Sequence, residues 1–444
     1  MILIMKREIP EVSTLTFLKN AARIVKNPLP FHHENFQKHG DIFRLNIGRK
    51  KSVIFCRDAE FAQYVLQKNQ KNYIKSEIQT KDLVKYVGNG LLTSNGEHWQ
   101  KQRKLIQPAF HKKHIANLLD TVLEAIRVEY VKIRAGKTID IFPVFNDLAF
   151  QTVVKSLFSS AASQEEINRL QYVTEENQKM LVKELRQPYK RLWFSLSGKL
   201  KYHLKLSEES RLILRNIVHK RKQNPKRYDD LLDMLLDARY EDGQPIREEQ
   251  LIDEILILFV AGHETTSNSL SFTTQLLAQN PQIQDKIYSE VKVASEATTS
   301  LMEFVQGCPY TQNVILESMR LYPPAYFMDR VNLEEDEFNG IKLDKGSDLL
   351  FSFYEIHRSE KHWEQPLEFN PDRFTSEKNP MAYFPFGAGP RKCIGSNFAM
   401  YEMILAVSEL ILNFKILSVK EDIEILPLIT LKPKNAYVEF EKRA

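Results

Sequence analysis

The chain has 444 residues, 43% of them hydrophobic and 27% charged, with a net charge of +5. That balance belongs to a globular protein with a full-sized core, and its weak positive charge excludes nucleic acid as the expected partner. Three cysteines, Cys56, Cys308 and Cys393, are too few and too scattered for a disulfide framework, so the expected location is a reducing, cytoplasmic one.

The start, Met1 to Met5, is apolar but gives way at once to Lys6 and Arg7. It is too short for a signal-peptide core, and no run in the chain reaches the ~20 apolar residues of a membrane span. No membrane anchor is expected. Residues 42–47 and 52–55 alternate as strands around Gly48–Lys51 and predict a hairpin. Asp58 then predicts a helix cap, with helix through about Gln67. Trp99 and Arg103 are four apart, on one face of a predicted helix. From about Pro108 to Pro281 the pattern is mainly helical, and the last third returns to short strands and proline-rich turns. With no repeat and no internal boundary, the chain reads as one body over 1–444: mainly α with small β-sheets, β-richer over about 1–75, with a helical core over about 76–325.

Ile252 to Leu277 predicts a long apolar helix whose centre reads Ala261-Gly262-His263-Glu264-Thr265-Thr266. A glycine inside a helix costs about 1 kcal/mol relative to alanine. Threonine hydroxyls can bond back to carbonyls and bend the helix. The expectation is a local defect that admits dioxygen and water, set against the plainer reading of a buried helix with a polar patch. His263 is expected to be a helix-face histidine rather than a catalyst. Glu317 and Arg320 share a helix face that Pro323 and Pro324 end. Such a pair is often a surface ion pair of little worth. Its apolar flanks favour burial instead.

The densest signal is 386–395, Phe-Gly-Ala-Gly-Pro-Arg-Lys-Cys-Ile-Gly. Gly387, Gly389 and Gly395 let the backbone turn tightly and approach a flat partner. Arg391 and Lys392 precede Cys393, and cations favour the thiolate. A loop presenting one thiolate in this way suits axial ligation of haem iron, with a buried, inert cysteine as the alternative.

This loop resembles the haem-binding loop of cytochrome P450 monooxygenases, Phe-x-x-Gly-x-x-x-Cys-x-Gly with a basic residue two before the cysteine. The 261–266 stretch is similar to that family's Ala/Gly-Gly-x-Asp/Glu-Thr-Thr/Ser motif. Glu317 and Arg320 are similar to its Glu-x-x-Arg, and Pro371-Asp372-Arg373-Phe374 to its Pro-x-Arg-Phe. The motifs fall in the family's order over roughly residues 95 to 400. The resemblance implies the cytochrome P450 fold, a haem b cofactor and a soluble bacterial monooxygenase, with Cys393 as the axial ligand. Thr265 would hydrogen-bond oxygen and Glu264 would relay protons, with Ala261 and Gly262 keeping their helix close to the haem. Trp99, Arg103 and Arg391 would hold the propionates, with Arg330 as a fourth contact and Phe386 as an aromatic wall; Gly395 would admit the ring. Glu317, Arg320 and Arg373 would form a buried structural triad that holds the cysteine loop.

The implied reaction inserts one oxygen atom of O2 into a substrate C–H bond, with NAD(P)H-derived electrons from a separate ferredoxin or flavodoxin and its reductase. The chain ends at Ala444 without a fused reductase sequence, and a monomer is expected. Lys101, Lys104, Lys112, Lys113 and Lys392 are candidates for the docking face. Pocket walls are expected from 78–91, from about 181–193, from 256–261 and from 325–328. They mix Leu83, Val87, Phe259 and Phe327 with Lys81, Lys85, Tyr86 and Asp329. The expected small-molecule substrate is a fatty acid, terpenoid or carotenoid. The alternative is O-demethylation of a small methyl ether such as a methylated sugar, and a peroxide-using or non-catalytic haem protein ranks below both.

Overall fold

The computed structural model describes residues 8–48, 51–159, 161–187, 190–224, 226–376, 380–420 and 422–443. The apolar start, Met1 to Met5, and the hairpin turn residues 49 and 50 lie outside them. Helices dominate and four small sheets are placed around them, as the pattern predicts. Among the described residues, no helix is long and apolar enough to cross a membrane.

The hairpin forms: Ile42–Asn46 pairs antiparallel with Ser52–Cys56. Asp58 accepts from Phe61 N–H at 2.9 Å and caps Ala59–Gln63, after which the chain widens into a π-helical turn at Tyr64–Lys68. Strands from the beginning of the chain and from its last third share one sheet. Its six strands run in the order Glu11–Val12, Ile42–Asn46, Ser52–Cys56, Asp348–Ser352, Phe327–Asn332, Tyr73–Ile74. Ser52–Cys56 and Asp348–Ser352 pair in parallel across nearly 300 residues of chain, a pairing that local pattern cannot reveal. The beginning also carries three helices between residues 14 and 39.

The central helix is longer than expected, Glu248–Gln279. Glu248 and Glu249 occupy its first turn, where the helix dipole favours acids. It packs along Phe142–Phe158, with Phe150 stacked on Phe259 at 5.6 Å between ring centroids. The second half is buried yet rich in hydroxyls, and each finds a carbonyl of its own helix: Ser269 to Thr265, Ser271 to Ser267, Thr273 to Ser269 and Thr274 to Leu270, at 2.7–3.0 Å. Back-bonding of this kind satisfies buried hydroxyls. The helix is continuous through Gly262, without a break at the 261–266 stretch. A second apolar cluster lies against the large sheet and includes Ala382, Phe384 and Ala388, which tie the beginning of the cysteine loop to it.

Candidate active site

The cysteine loop is closed by its own backbone. Cys393 N–H donates to Phe386 O at 2.9 Å, and Lys392 N–H to Gly389 O at 3.0 Å. Gly387 and Gly389 both have positive φ, at 70° and 67°. A Cβ on Gly389 would run into the carbonyl oxygen of Leu66, so that position admits only glycine. Gly395 differs, with φ −87° and a built Cβ meeting only Phe110, at 3.8 Å. The protein itself does not require a glycine there. Cys393 is exposed in this loop, and Phe386 is half-buried against the main core.

The cations were expected to favour the Cys393 thiolate, but the balance falls the other way. Although its surface is exposed, the protein packed around the thiol desolvates it and pushes it up, and the Gly395 N–H together with Arg103 and Lys392 offsets this only in part. The protein alone leaves this cysteine a thiol.

The buried triad forms, with one amendment. Arg320 grips Glu317 with two bonds, Nε to Oε2 at 2.7 Å and Nη2 to Oε1 at 2.8 Å. Arg373 was expected to grip it the same way. It reaches Oε1 once, through Nε at 3.3 Å, and turns Nη2 to Gln365 O. Asn370 N–H fills the remaining place on Oε1 at 3.0 Å. Arg320 and Glu317 are wholly buried. The triad reaches the cysteine loop through His357, which sequence reasoning missed. Arg320 Nη1 donates to His357 O at 2.7 Å, and His357 Nε2 accepts from Phe384 N–H at 2.8 Å. Burial holds the His357 pKa well down, which keeps the ring neutral and leaves that nitrogen free to accept.

The mid-helix residues separate by face. Ala261 is exposed at the middle of the longest helix, and Glu264 and Thr265 are half-buried. Thr265 Oγ1 donates to Ala261 O at 2.9 Å. Gly262 has a packing role on its own helix. A Cβ there would meet Val153 Cγ2 at 3.0 Å, so the glycine serves the packing on Phe142–Phe158. His263 is buried, bonds Phe259 O at 2.6 Å and meets Phe150 edge-on, as its plain reading predicts. Glu264 lies in the field of Lys432, a half-buried amine that burial pulls down and Glu264 pulls back up.

The four expected cofactor clamps are differently engaged. Trp99 is buried, and the Arg391 guanidinium sits over its ring at 4.2 Å. Arg391 also donates to Ser94 O and Asn95 Oδ1, both at 3.1 Å. Arg103 donates to Lys392 O at 3.0 Å, so it braces the cysteine loop directly. Arg330 is only 5% exposed, and its Nη1 donates to the backbone carbonyl of Asp329 at 2.7 Å. A further cation, the buried Lys75, had no motif to announce it; its Nζ donates to Leu91 O and Leu92 O. Burial followed by Arg391 and Arg330 pushes Lys75 well down, burial lowers Arg330, and burial with Arg330 brings Arg391 to about 10. Two buried cations, Lys75 and Arg330, and the half-buried Arg391 repel one another, none in an ion pair among the described residues, and make a site for a ligand with two carboxylates. The propionates of haem fit that demand, and the side-chain-free face of Gly395 beside Cys393 fits a flat ring.

The polar residues expected in the pocket walls turn out to be bound to the protein. Lys81 pairs with Glu77, Lys85 and Tyr86 both reach buried Glu184, and Asp329 takes Ser76 and Gln79. What remains is mainly apolar. A cavity lies between Leu83 and Val87 on one side, Leu181 on another, and Leu256 and Val260 of the central helix.

A family model described as Cytochrome P450 matches residues 9–440. Pentalenene oxygenase of Streptomyces avermitilis is 26% identical over 413 residues, covering 92% of this chain and 91% of that protein. Cyclooctat-9-en-7-ol 5-monooxygenase of Streptomyces melanosporofaciens is 27% identical, covering 89% of this chain and 86% of the relative. Cytochrome P450 4d2 of Drosophila melanogaster is 30% identical, covering 88% and 84%.

Proposed function

We propose a terpenoid hydroxylase, starting from the premise that this chain belongs to the cytochrome P450 family and is a monooxygenase. The family uses haem iron and electrons from a redox partner. The observation that carries the substrate reading is the apolar lining, Leu83, Val87, Leu181, Leu256 and Val260, of a small cavity of about 20 Å³, at which Lys85 and Tyr86 are bound by the protein. An apolar wall with few free polar groups suits a hydrocarbon skeleton. It does not suit a methylated sugar, whose hydroxyls would each need a partner. The names of the two Streptomyces relatives support the same choice.

Cys393 would ligate the iron of haem b, and Trp99, Arg103, Arg330, Arg391 and Lys75 would hold the cofactor. Haem bound in this way supplies dioxygen activation, which a thiolate ligand drives toward O–O cleavage. The remaining work falls to the chain. Thr265 gives its proton to Ala261 O and so presents acceptor lone pairs to the cleft, where a proton-bearing oxygen can be held. Glu264, with the Lys432 amine in its field, would resupply protons from the opposite side. The apolar walls exclude water and hold the substrate C–H bond still.

Electrons would come from a ferredoxin or flavodoxin and its reductase. Lys101, Lys112, Lys113 and Lys392 are exposed and remain candidates for its docking face, while Lys104 is paired with Glu241 at 2.8 Å. The reduced carbon monoxide difference spectrum tests the ligand assignment. Wild type should give a thiolate-type Soret band, and Cys393→Ala should lose it. Survival of that band in the variant would refute the assignment.

A further inference from the structure

The helix Gln164–Arg186 turns Val173, Asn177 and Leu181 to one face, four residues apart, and all three line the cavity against Leu256 and Val260. The hydroxyls on that lining are used within the protein. Tyr86 Oη donates to Glu184, Thr174 Oγ1 to Leu170 O and Ser210 Oγ to Ser207 O. Asn177 is the exception. It is 6% exposed, and among the described lining residues only its side chain holds a buried polar atom, Oδ1, without a hydrogen-bond partner. An amide left so is unfavourable, and native proteins rarely keep one without a reason.

We propose that Asn177 is a specificity-determining residue whose carboxamide hydrogen-bonds a hydroxyl on an otherwise apolar substrate seated against Leu181, Leu256 and Val260. This rests on the terpenoid reading of the same site and sharpens it: the substrate is a skeleton that already carries one alcohol. The chemistry favours an alcohol over a ketone or a bare hydrocarbon. Oδ1 needs a donor, which only the alcohol supplies. An alcohol also accepts, so it matches the carboxamide whichever way the amide is turned. The position favours orientation as well. Val260 directly precedes Ala261, so a substrate anchored at Asn177 and lying against Val260 is held along the helix that carries Glu264 and Thr265. Lysine or arginine at this place would demand an anion, and the cavity shows neither.

The test uses the holoenzyme and matched ligands that differ by one hydroxyl: limonene against α-terpineol, and dodecane against 1-dodecanol. Affinities are read from the substrate-induced spin-state shift. Wild type should bind each alcohol about five-fold more tightly than its hydrocarbon, the effect of one buried hydrogen bond. Asn177→Leu keeps the volume and removes both polar atoms, so it should lose that preference while hydrocarbon affinity stays level or improves. Asn177→Val serves the same purpose should leucine overfill the cavity. A preference that persists in both variants, or is absent from wild type, overturns the proposal. If only the dodecanol pair binds and the variants erase its preference, the terpenoid reading fails and the role of Asn177 stands. If neither pair binds wild type, both readings fall.

Discussion

Replacing Glu317 by leucine should be among the most damaging single changes in the molecule away from the cysteine itself. The carboxylate accepts four bonds, two from Arg320, one from Arg373 and one from Asn370 N–H. Arg320 would keep three carbonyl partners, on His357, Pro366 and Glu368, at 2.7–3.0 Å. What it would lose is its counter-charge, at a side chain with no solvent exposure. Stranding a buried charge in this way costs about 3–5 kcal/mol, a third or more of the ~5–15 kcal/mol that holds a typical domain folded. Arg373→Leu is the informative comparison. Its side chain is 12% exposed and contributes one 3.3 Å bond, and Glu317 would stay paired without it. That loss should be about 1 kcal/mol. Urea unfolding of the holoprotein, followed by Trp fluorescence and by Soret loss, measures both. Glu317→Leu should also release haem at lower urea, because Arg320, His357 and Phe384 N–H connect the triad to the cysteine loop. If Glu317→Leu proves no worse than Arg373→Leu, the triad is not organised around that buried charge, and the reasoning fails.

Gly389→Ala combines a left-handed backbone, about 1–2 kcal/mol for an alanine, with a Cβ directed at the Leu66 carbonyl; holoprotein yield should collapse, and normal haem content would contradict the close approach. Glu264→Gln and Thr265→Ala should leave the substrate-induced spin shift unchanged while product formation falls about 100-fold or more, as for loss of a proton-handling group; equal loss of binding would mean that they shape the pocket instead. Burial raises the Glu402 carboxyl to about 8 in the fold, against 4.5 for an open chain. Between those values the unfolded chain has lost a proton that the folded one keeps, so stability falls as pH rises through that window, by up to about 5 kcal/mol. Glu402→Gln removes the effect, and urea midpoints at about pH 5 and pH 8 should show wild type losing ground to the variant at the higher pH. Glu254, raised to about 7 by burial, slopes the same way in both proteins and cancels in the comparison.

What could be read from the sequence was the chemistry that sits in consecutive residues. Cys393 with its glycines, the Glu264–Thr265 pair and the i, i+3 pair Glu317–Arg320 all declare themselves through spacing along one loop or one helix. Lys75, His357 and Asn177 could not, because each acquires its role from chain far away. Lys75 is an ordinary lysine until the carbonyls of Leu91 and Leu92 and the guanidiniums of Arg330 and Arg391 surround it. His357 matters only because Arg320 and Phe384, 37 and 27 residues distant, meet on it. The large sheet was hidden for the same reason, its parallel pair being joined across most of the molecule. Gly262 has a packing partner that its motif position did not reveal, since its missing Cβ makes room for Val153.

The same division explains why Cys393 was easy to find and its charge state was not. Arg391 and Lys392 are adjacent in sequence, so a lowered thiol seemed to follow. In the fold, Arg391 turns to Ser94, Asn95 and the Trp99 ring, while Arg103, 289 residues away along the chain, braces Lys392 O. Arg103 and Lys392 still act on the sulfur, but burial outweighs them and the thiol is pushed up. A cysteine kept protonated by its own protein is a poor nucleophile and a poor redox switch, since both chemistries need the thiolate. Metal ligation supplies its own driving force for deprotonation. The proposed role rests on the loop's geometry, its left-handed glycines and its exposed cysteine, and not on a thiolate prepared in advance by neighbouring cations.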